Sequence, residues 1–174
     1  MMDETEFWEL VDATRQAAGS DPEEQADLLV DRLLEKDPDL VLDFARHFEA
    51  RCNRAFTWDL WAAARVLLDE ADEDAFDSFR CWLIGQGREV YEGAVHDADA
   101  LAELLDDFDE DLDGDGEDLG YAADEAYEQL TGAVTPELGI APAPAEPLGT
   151  PLDLEDEREL ARRLPRLWER FGPG

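Results

Sequence analysis

Apolar residues recur along this chain at intervals of three and four, as in Leu29, Leu33 and Leu34 or Val41, Phe44, Ala45 and Phe48. That spacing puts them on one face of a helix, and each such face must be buried against another. Helix starts accompany the pattern. Asp3 with Glu6 resembles a capping box that opens a helix running to about Ala18, and Asp21-Pro22-Glu23-Glu24 combines an N-cap with proline at the first helical position. Asp37-Pro38 repeats the device. A fourth helix is predicted from Trp58 to Glu70 and a fifth from Glu73 to Ile84, where Gly85-Gln86-Gly87 stops and redirects the chain. Shorter helices follow over Glu89 to Ala94 and Ala98 to Leu105, and "YAADEAYEQL" supplies one more.

No stretch alternates apolar and polar residues for long enough to make a strand. The expected fold is all-α, an irregular or orthogonal multi-helix bundle, because many of the helices are too short for long parallel rods. From Thr131 to Pro151 the chain holds five of its nine prolines and few large apolar residues, which predicts an extended linker. It leads to a C-terminal helix that Asp153 or Asp156 caps and Pro165 bends or interrupts. The chain thus divides into an acidic all-α domain (1–131), a Pro-rich linker (132–152) and an Arg-rich tail (153–174). In the tail, Leu160, Leu164, Leu167, Trp168 and Phe171 can pack, while Arg158, Arg162, Arg163, Arg166 and Arg170 face a body with no Lys or Arg from Glu89 through Glu157. Docking of this tail on the body and a frayed exposed helix are both open readings.

Charge changes the picture more than composition does. Forty-seven acidic residues against 14 basic ones give a formal net charge of -33, so the native state tolerates considerable self-repulsion. Free nucleic acid and anionic membrane are poor partners for such a surface, and a basic protein or peptide is a better one. Only one basic residue is lysine, Lys36, so a proteome-wide bias or adaptation to salt also accounts for the acidity. Cys52 and Cys81 lack metal-ligand spacing, and "MMDETEF" lacks the basic and then apolar stretches of a secretory signal. Those features predict a reduced, cytoplasmic protein. No apolar run reaches the ~18 residues of a membrane span.

The densest acidic stretch is "DDFDEDLDGDGEDLG", residues 106 to 120, with nine carboxylates and no basic residue. Asp111, Asp113 and Asp115 with Gly116 match the first half of a calcium loop, but the twelfth position is Ala122 and no second loop exists. The stretch is therefore a solvated connection, a loose site for calcium or another divalent cation, or part of a polyanionic face whose fifteen acids run from Asp97 to Glu128. No cofactor is implied.

Chemistry-bearing residues gather between Phe56 and Gly93. Trp58, Trp61, Ala62 and Arg65 share one helical face, and Ala75, Phe76, Phe79, Trp82 and Leu83 share another. Arg80 stands at the edge of the second stripe, with Asp77 three residues before it and Asp59 as a candidate partner; Arg88 stands near Tyr91. Arginines at an aromatic boundary either pin helices or bind an anionic ligand. The candidate binding residues are thus Trp58, Asp59, Trp61, Arg80, Trp82, Arg88 and Tyr91. No complete phosphate-loop, zinc-protease or serine-hydrolase motif is present. His47 and Cys52 lie five apart, about 140° around a helix, which argues against a Cys-His pair within it.

The segments "MDETEFWELVDATR", "WDLWAAA", "FRCWLIGQGREVYEGAVHD" and "DLGYAADEAYEQLTG" together resemble a bacterial family known as domain of unknown function 4240, common in actinobacteria. The resemblance covers roughly residues 2 to 132. It implies a bacterial cytoplasmic protein, weakens salt adaptation as the source of the acidity, and carries no catalytic residue, cofactor or activity. Three functions follow from the residues. The first is a non-enzymatic helical interaction module for a protein or peptide. The second is an enzyme or small-molecule binder using Arg80 and Arg88, with Tyr91, Glu92 or His47 as acid-base groups. The third is an inhibitor or immunity-like polyanion mimic directed at a basic protein.

Overall fold

The computed structural model describes residues 1–19, 21–69 and 71–173. Among them the chain forms ten α-helices and no strand, so the all-α class holds. The helices are α1 (Glu4–Ala18), α2 (Pro22–Leu34), α3 (Pro38–Arg54), α4 (Trp58–Leu68), α5 (Glu73–Gly85), α6 (Arg88–His96), α7 (Leu101–Leu104), α8 (Glu117–Thr131), α9 (Glu157–Arg163) and α10 (Pro165–Phe171). None among the described residues is long and apolar enough to cross a membrane.

Local chemistry sets most of the starts. The Asp3 carboxylate accepts from the Glu6 amide at 2.8 Å, Asp21 accepts from Glu23 and Glu24, and the Thr57 hydroxyl accepts from Leu60 at 3.0 Å. Asp37 departs from the pattern: α3 starts on Pro38 without a side-chain cap. The fourth helix ends at Leu68, and its expected end at Glu70 lies outside the described residues. The expected helix from Ala98 to Leu105 divides into a 3-10 turn over Ala98–Ala100 and the single turn of α7. α8 begins at Glu117 rather than Tyr121, because Glu117 and Asp118 suit the positive end of a helix dipole.

α8 lies across α2, α3 and α5, and α1 packs on α2. Phe7, Trp8, Phe44, Phe76, Phe79, Trp82 and Tyr91 fill the space between these layers, each shielded from solvent. Two glycines set how closely the helices approach. A Cβ on Gly116 would stand 2.6 Å from the Cys81 carbonyl carbon, and the Gly116 amide donates to Ser78 O at 2.9 Å, so the start of α8 rests directly on α5. Gly87 turns the chain at φ +104°, after which the Arg88 amide donates to Asp12 of α1 at 3.2 Å.

The proline-rich segment carries no helix and is tied to the body at three points, the first a bond of 2.7 Å from the Thr135 hydroxyl to Asp124 of α8. Arg46 Nε donates to Leu138 O at 2.9 Å, and Leu148 exchanges backbone hydrogen bonds with Phe56 and Trp58 at 2.9 Å. Beyond it, Pro165 divides the tail into α9 and α10. Leu160, Leu164 and Leu167 are buried, with α10 seated on α4 and α7.

Candidate functional site

Contacts divide the arginine and aromatic residues among three places rather than one groove. At the first, Trp58 stacks on Trp61 with ring centroids 5.6 Å apart, and Trp61 stacks on Phe76 at 4.9 Å. The indole N–H of Trp61 donates to Ala71 O at 2.9 Å. Arg80 lies 4.8 Å from both the Phe56 and the Phe76 ring, donates Nη1–H to Cys52 O at 2.9 Å, and pairs with Asp77. It is only 8% exposed, and burial lowers the pKa of its guanidinium. Asp59 is not its partner: Asp59 pairs with Arg163 of α9 at 3.3 Å, while the two phenyl rings and Asp77 enclose the guanidinium.

The second place lies where α1, α3 and α6 meet. Tyr91 packs on Trp8 at 5.3 Å and donates its hydroxyl to Arg51 O at 2.8 Å. Burial pushes its phenol well above the ordinary tyrosine pKa, so it keeps its proton at neutral pH. Glu4 receives Arg51 at 3.3 Å and Arg88 at 3.7 Å, and Glu92 receives Arg54 at 2.9 Å. His47 Nε2–H donates to Met2 O at 2.9 Å, which leaves Nδ1 to accept from Arg51 at 3.3 Å. Tyr91, Glu92 and His47 thus all hold neighbouring elements together. Arg88 and Arg80 do not converge.

Trp82 belongs to the third place, under the acidic loop. It meets Phe79 at 5.5 Å and, edge to face, Phe108 at 5.4 Å; Phe108 in turn meets Phe171 of α10 at 6.4 Å. Phe108 is therefore the apolar anchor in "DDFDED", and it leaves the flanking carboxylates outside. Asp106, Asp107, Asp109, Glu110, Asp111, Asp115, Glu117 and Asp118 are exposed, Asp113 is half-buried, and among the described residues none of the nine makes an ion pair. Four carboxylates order the loop itself: Asp107 accepts from the Phe108 amide at 2.8 Å, Asp113 from Asp109 at 2.9 Å, Asp109 from Asp111 at 3.0 Å and Asp115 from Glu117 at 3.1 Å. Ala122, at the twelfth position of the half calcium motif, is buried within α8. Among the described residues no group of three or more His, Cys, Asp or Glu side chains is arranged to hold a metal ion.

Beside the loop lies a cleft of about 300 Å³ between Asp21, Pro22 and Glu23 of the α2 start and Asp111, Leu112 and Asp115. Leu112 stands 58% exposed in the middle of these carboxylates.

Two constellations join residues that the local sequence pattern does not pair. Asp99 accepts from the Leu167 amide at 2.9 Å and from Arg166 Nε at 3.1 Å, and the same guanidinium reaches Asp97 at 2.9 Å and Glu103 at 2.6 Å. Asp99 foremost, and then Glu103, raise the Arg166 pKa. The other is Cys52 with Cys81. Both line one cleft between α3, α5 and α8, and both are free. Cys52 continues the stripe of Ala45 and Phe48 at four- and seven-residue spacing, the one clue to its inward direction.

The fold and the loop thus define an all-α protein whose most accessible chemistry is carboxylate. The chain belongs to the family described as "Protein of unknown function (DUF4240)", whose model matches residues 2–129. No curated protein and no solved structure matches it.

Proposed function

We propose that this protein is a non-enzymatic interaction module whose acidic loop and the neighbouring α2 start receive a basic protein or peptide. The observation that carries the reading is the set of nine loop carboxylates, without an ion pair among the described residues, arrayed around the exposed Leu112. Carboxylates steer a cationic partner toward the site, and a leucine among them supplies apolar contact once it arrives. The tail offers an internal precedent, since Arg166 enters a nest of Asp97, Asp99 and Glu103 on the same acidic body. The polyanion-mimic reading is a special case in which the partner's cationic site normally holds nucleic acid. Two free cysteines fit a reducing bacterial cytoplasm, and the resemblance to actinobacterial proteins supports the same setting.

The test is a pull-down from nuclease-treated lysate of source cells, with the intact chain and with a chain carrying Asp106, Asp107, Asp109, Asp111, Asp113 and Asp115 changed to Asn. The reading expects a stoichiometric basic partner that is lost both at high salt and with the neutralised loop. A partner that stays bound in both conditions places recognition elsewhere.

A further inference from the structure

α3 and α5 pack together, and with α8 they enclose a cleft of about 200 Å³ whose wall includes Phe44, Phe48, Leu119 and Leu138. It is the most apolar of the clefts described, and two thiols, Cys52 and Cys81, open into it. Both are half-buried, so a small reagent can reach them while a large one is obstructed. Gly120 of α8 keeps the space over the second sulfur: a Cβ there would stand 3.0 Å from Cys81 Sγ. Arg80 precedes Cys81 in the chain and donates to Cys52 O at 2.9 Å, which fixes a buried guanidinium next to both residues.

We infer that Cys52 and Cys81 form a redox-active dithiol that reacts with a small hydroperoxide, Cys81 attacking first and Cys52 resolving. The thiolate is the nucleophile in such chemistry, and a neighbouring cation favours it. The Cys52 hydrogen bond and then Arg80 hold the Cys81 thiol below the ordinary range, against burial and the charges of Asp115 and Glu117. The interaction with Cys81 and burial push Cys52 well above its ordinary range, with Glu49 adding to the shift and Arg80 opposing it. Cys52 therefore keeps its proton until the second step.

In the first step the Cys81 thiolate attacks the terminal oxygen of the hydroperoxide. The S–O bond forms, the O–O bond breaks, and the leaving alkoxide or hydroxide takes up the proton that Cys81 released. In the second, Cys52 loses its proton as its sulfur attacks Cys81 Sγ; the S–S bond forms, the S–O bond breaks, and the departing hydroxide leaves as water. Two thiols lose two electrons and two protons, and the hydroperoxide is reduced to an alcohol, or to water when the oxidant is hydrogen peroxide.

The experiment treats the full chain with hydrogen peroxide in native buffer, blocks the remaining thiols, and maps the disulfide by peptide mass. The expected product is a Cys52–Cys81 disulfide within one chain, formed at least about tenfold faster than in the urea-unfolded chain. With Cys52→Ser, dimedone should trap a sulfenic acid at Cys81; with Cys81→Ser, the remaining thiol should react no faster than in urea. Should either variant fail to fold, the wild-type rate and peptide map decide alone. Disulfides only between chains, native reaction no faster than in urea, or sulfenic acid trapped at Cys52 instead of Cys81 would each overturn the assignment.

Discussion

The Tyr91 hydroxyl donates to Arg51 O at 2.8 Å while its ring is closed in by Trp8, so Tyr91→Phe removes one buried hydrogen bond and keeps the packing. The expected cost at neutral pH is about 1 kcal/mol, because one bond between helices is lost while the Arg51 carbonyl keeps the Ala55 amide as a donor. The pH dependence has a definite sign. Burial raises the folded phenol's pKa, so both states stay protonated below about pH 10, and above it the unfolded chain ionises first. Wild-type stability therefore acquires an alkaline loss that the Tyr91→Phe chain lacks, and the gap between them narrows as pH rises. Urea unfolding of both chains at about pH 8 and about pH 10.5 reads this; a constant gap would refute it. Arg80 makes the companion case. One planar guanidinium serves two phenyl rings, Cys52 O and Asp77, and an ammonium cannot match that fork. Arg80→Lys should cost roughly 2 kcal/mol in denaturant unfolding, through lost packing and a lost interhelical bond. An unchanged midpoint would return Arg80 to the list of groups available to a ligand. The Arg80 to Asp77 contact was legible because it spans three residues, whereas the role of Asp59 was not, since its partner Arg163 lies over a hundred positions away.

At the level of elements, helices whose starts are encoded locally could be read directly, as at Asp3 and Asp21. α10 differs, because its own N-cap residue, Leu164, has no oxygen to offer in its side chain. Asp99 supplies it from another part of the chain, accepting from the Arg166 and Leu167 amides at 3.3 and 2.9 Å. A cap delivered across 68 positions leaves no spacing signature. The expected consequence of Asp99→Ala is a loss of roughly 2 kcal/mol, since it unsatisfies a buried amide and removes a cap at once. The damage should be local. Amide hydrogen exchange should quicken through α9 and α10 and leave α1 to α3 protected, because the tail's contacts lie on α4, α7 and the turn at Asp99. Uniform quickening would mean that the tail is integral to the cooperative core. The same distinction applies to the candidate sites: the acidic loop was visible as composition, whereas its anchor Phe108 and the Cys52–Cys81 pair depend on which helices α5 meets.

For the molecule as a whole the governing quantity is the imbalance of 47 acids over 14 bases. Most of the arginines already meet carboxylates of the same chain, including Arg166 with three and Arg163 with Asp59, so what remains on the surface is largely one sign. Added salt weakens those ion pairs and the repulsion together, but the repulsions outnumber the pairs and act over longer distances. The Debye length falls from about 30 Å at 0.01 M to about 10 Å at 0.1 M, so repulsion between distant surface carboxylates is screened over this range. The thermal midpoint should therefore rise by several degrees between ~10 mM and ~0.5 M sodium chloride. Chloride is the salt to use, because sulfate would also strengthen apolar burial. A midpoint that falls with salt would mean that the tail's arginine pairs outweigh the repulsion. Association with a basic partner should respond in the opposite direction, slowing and weakening over the same range as the loop's field is screened. Opposed salt slopes for stability and binding in one protein would place the excess charge at the interface, because acidity serving only solubility produces the first slope without the second.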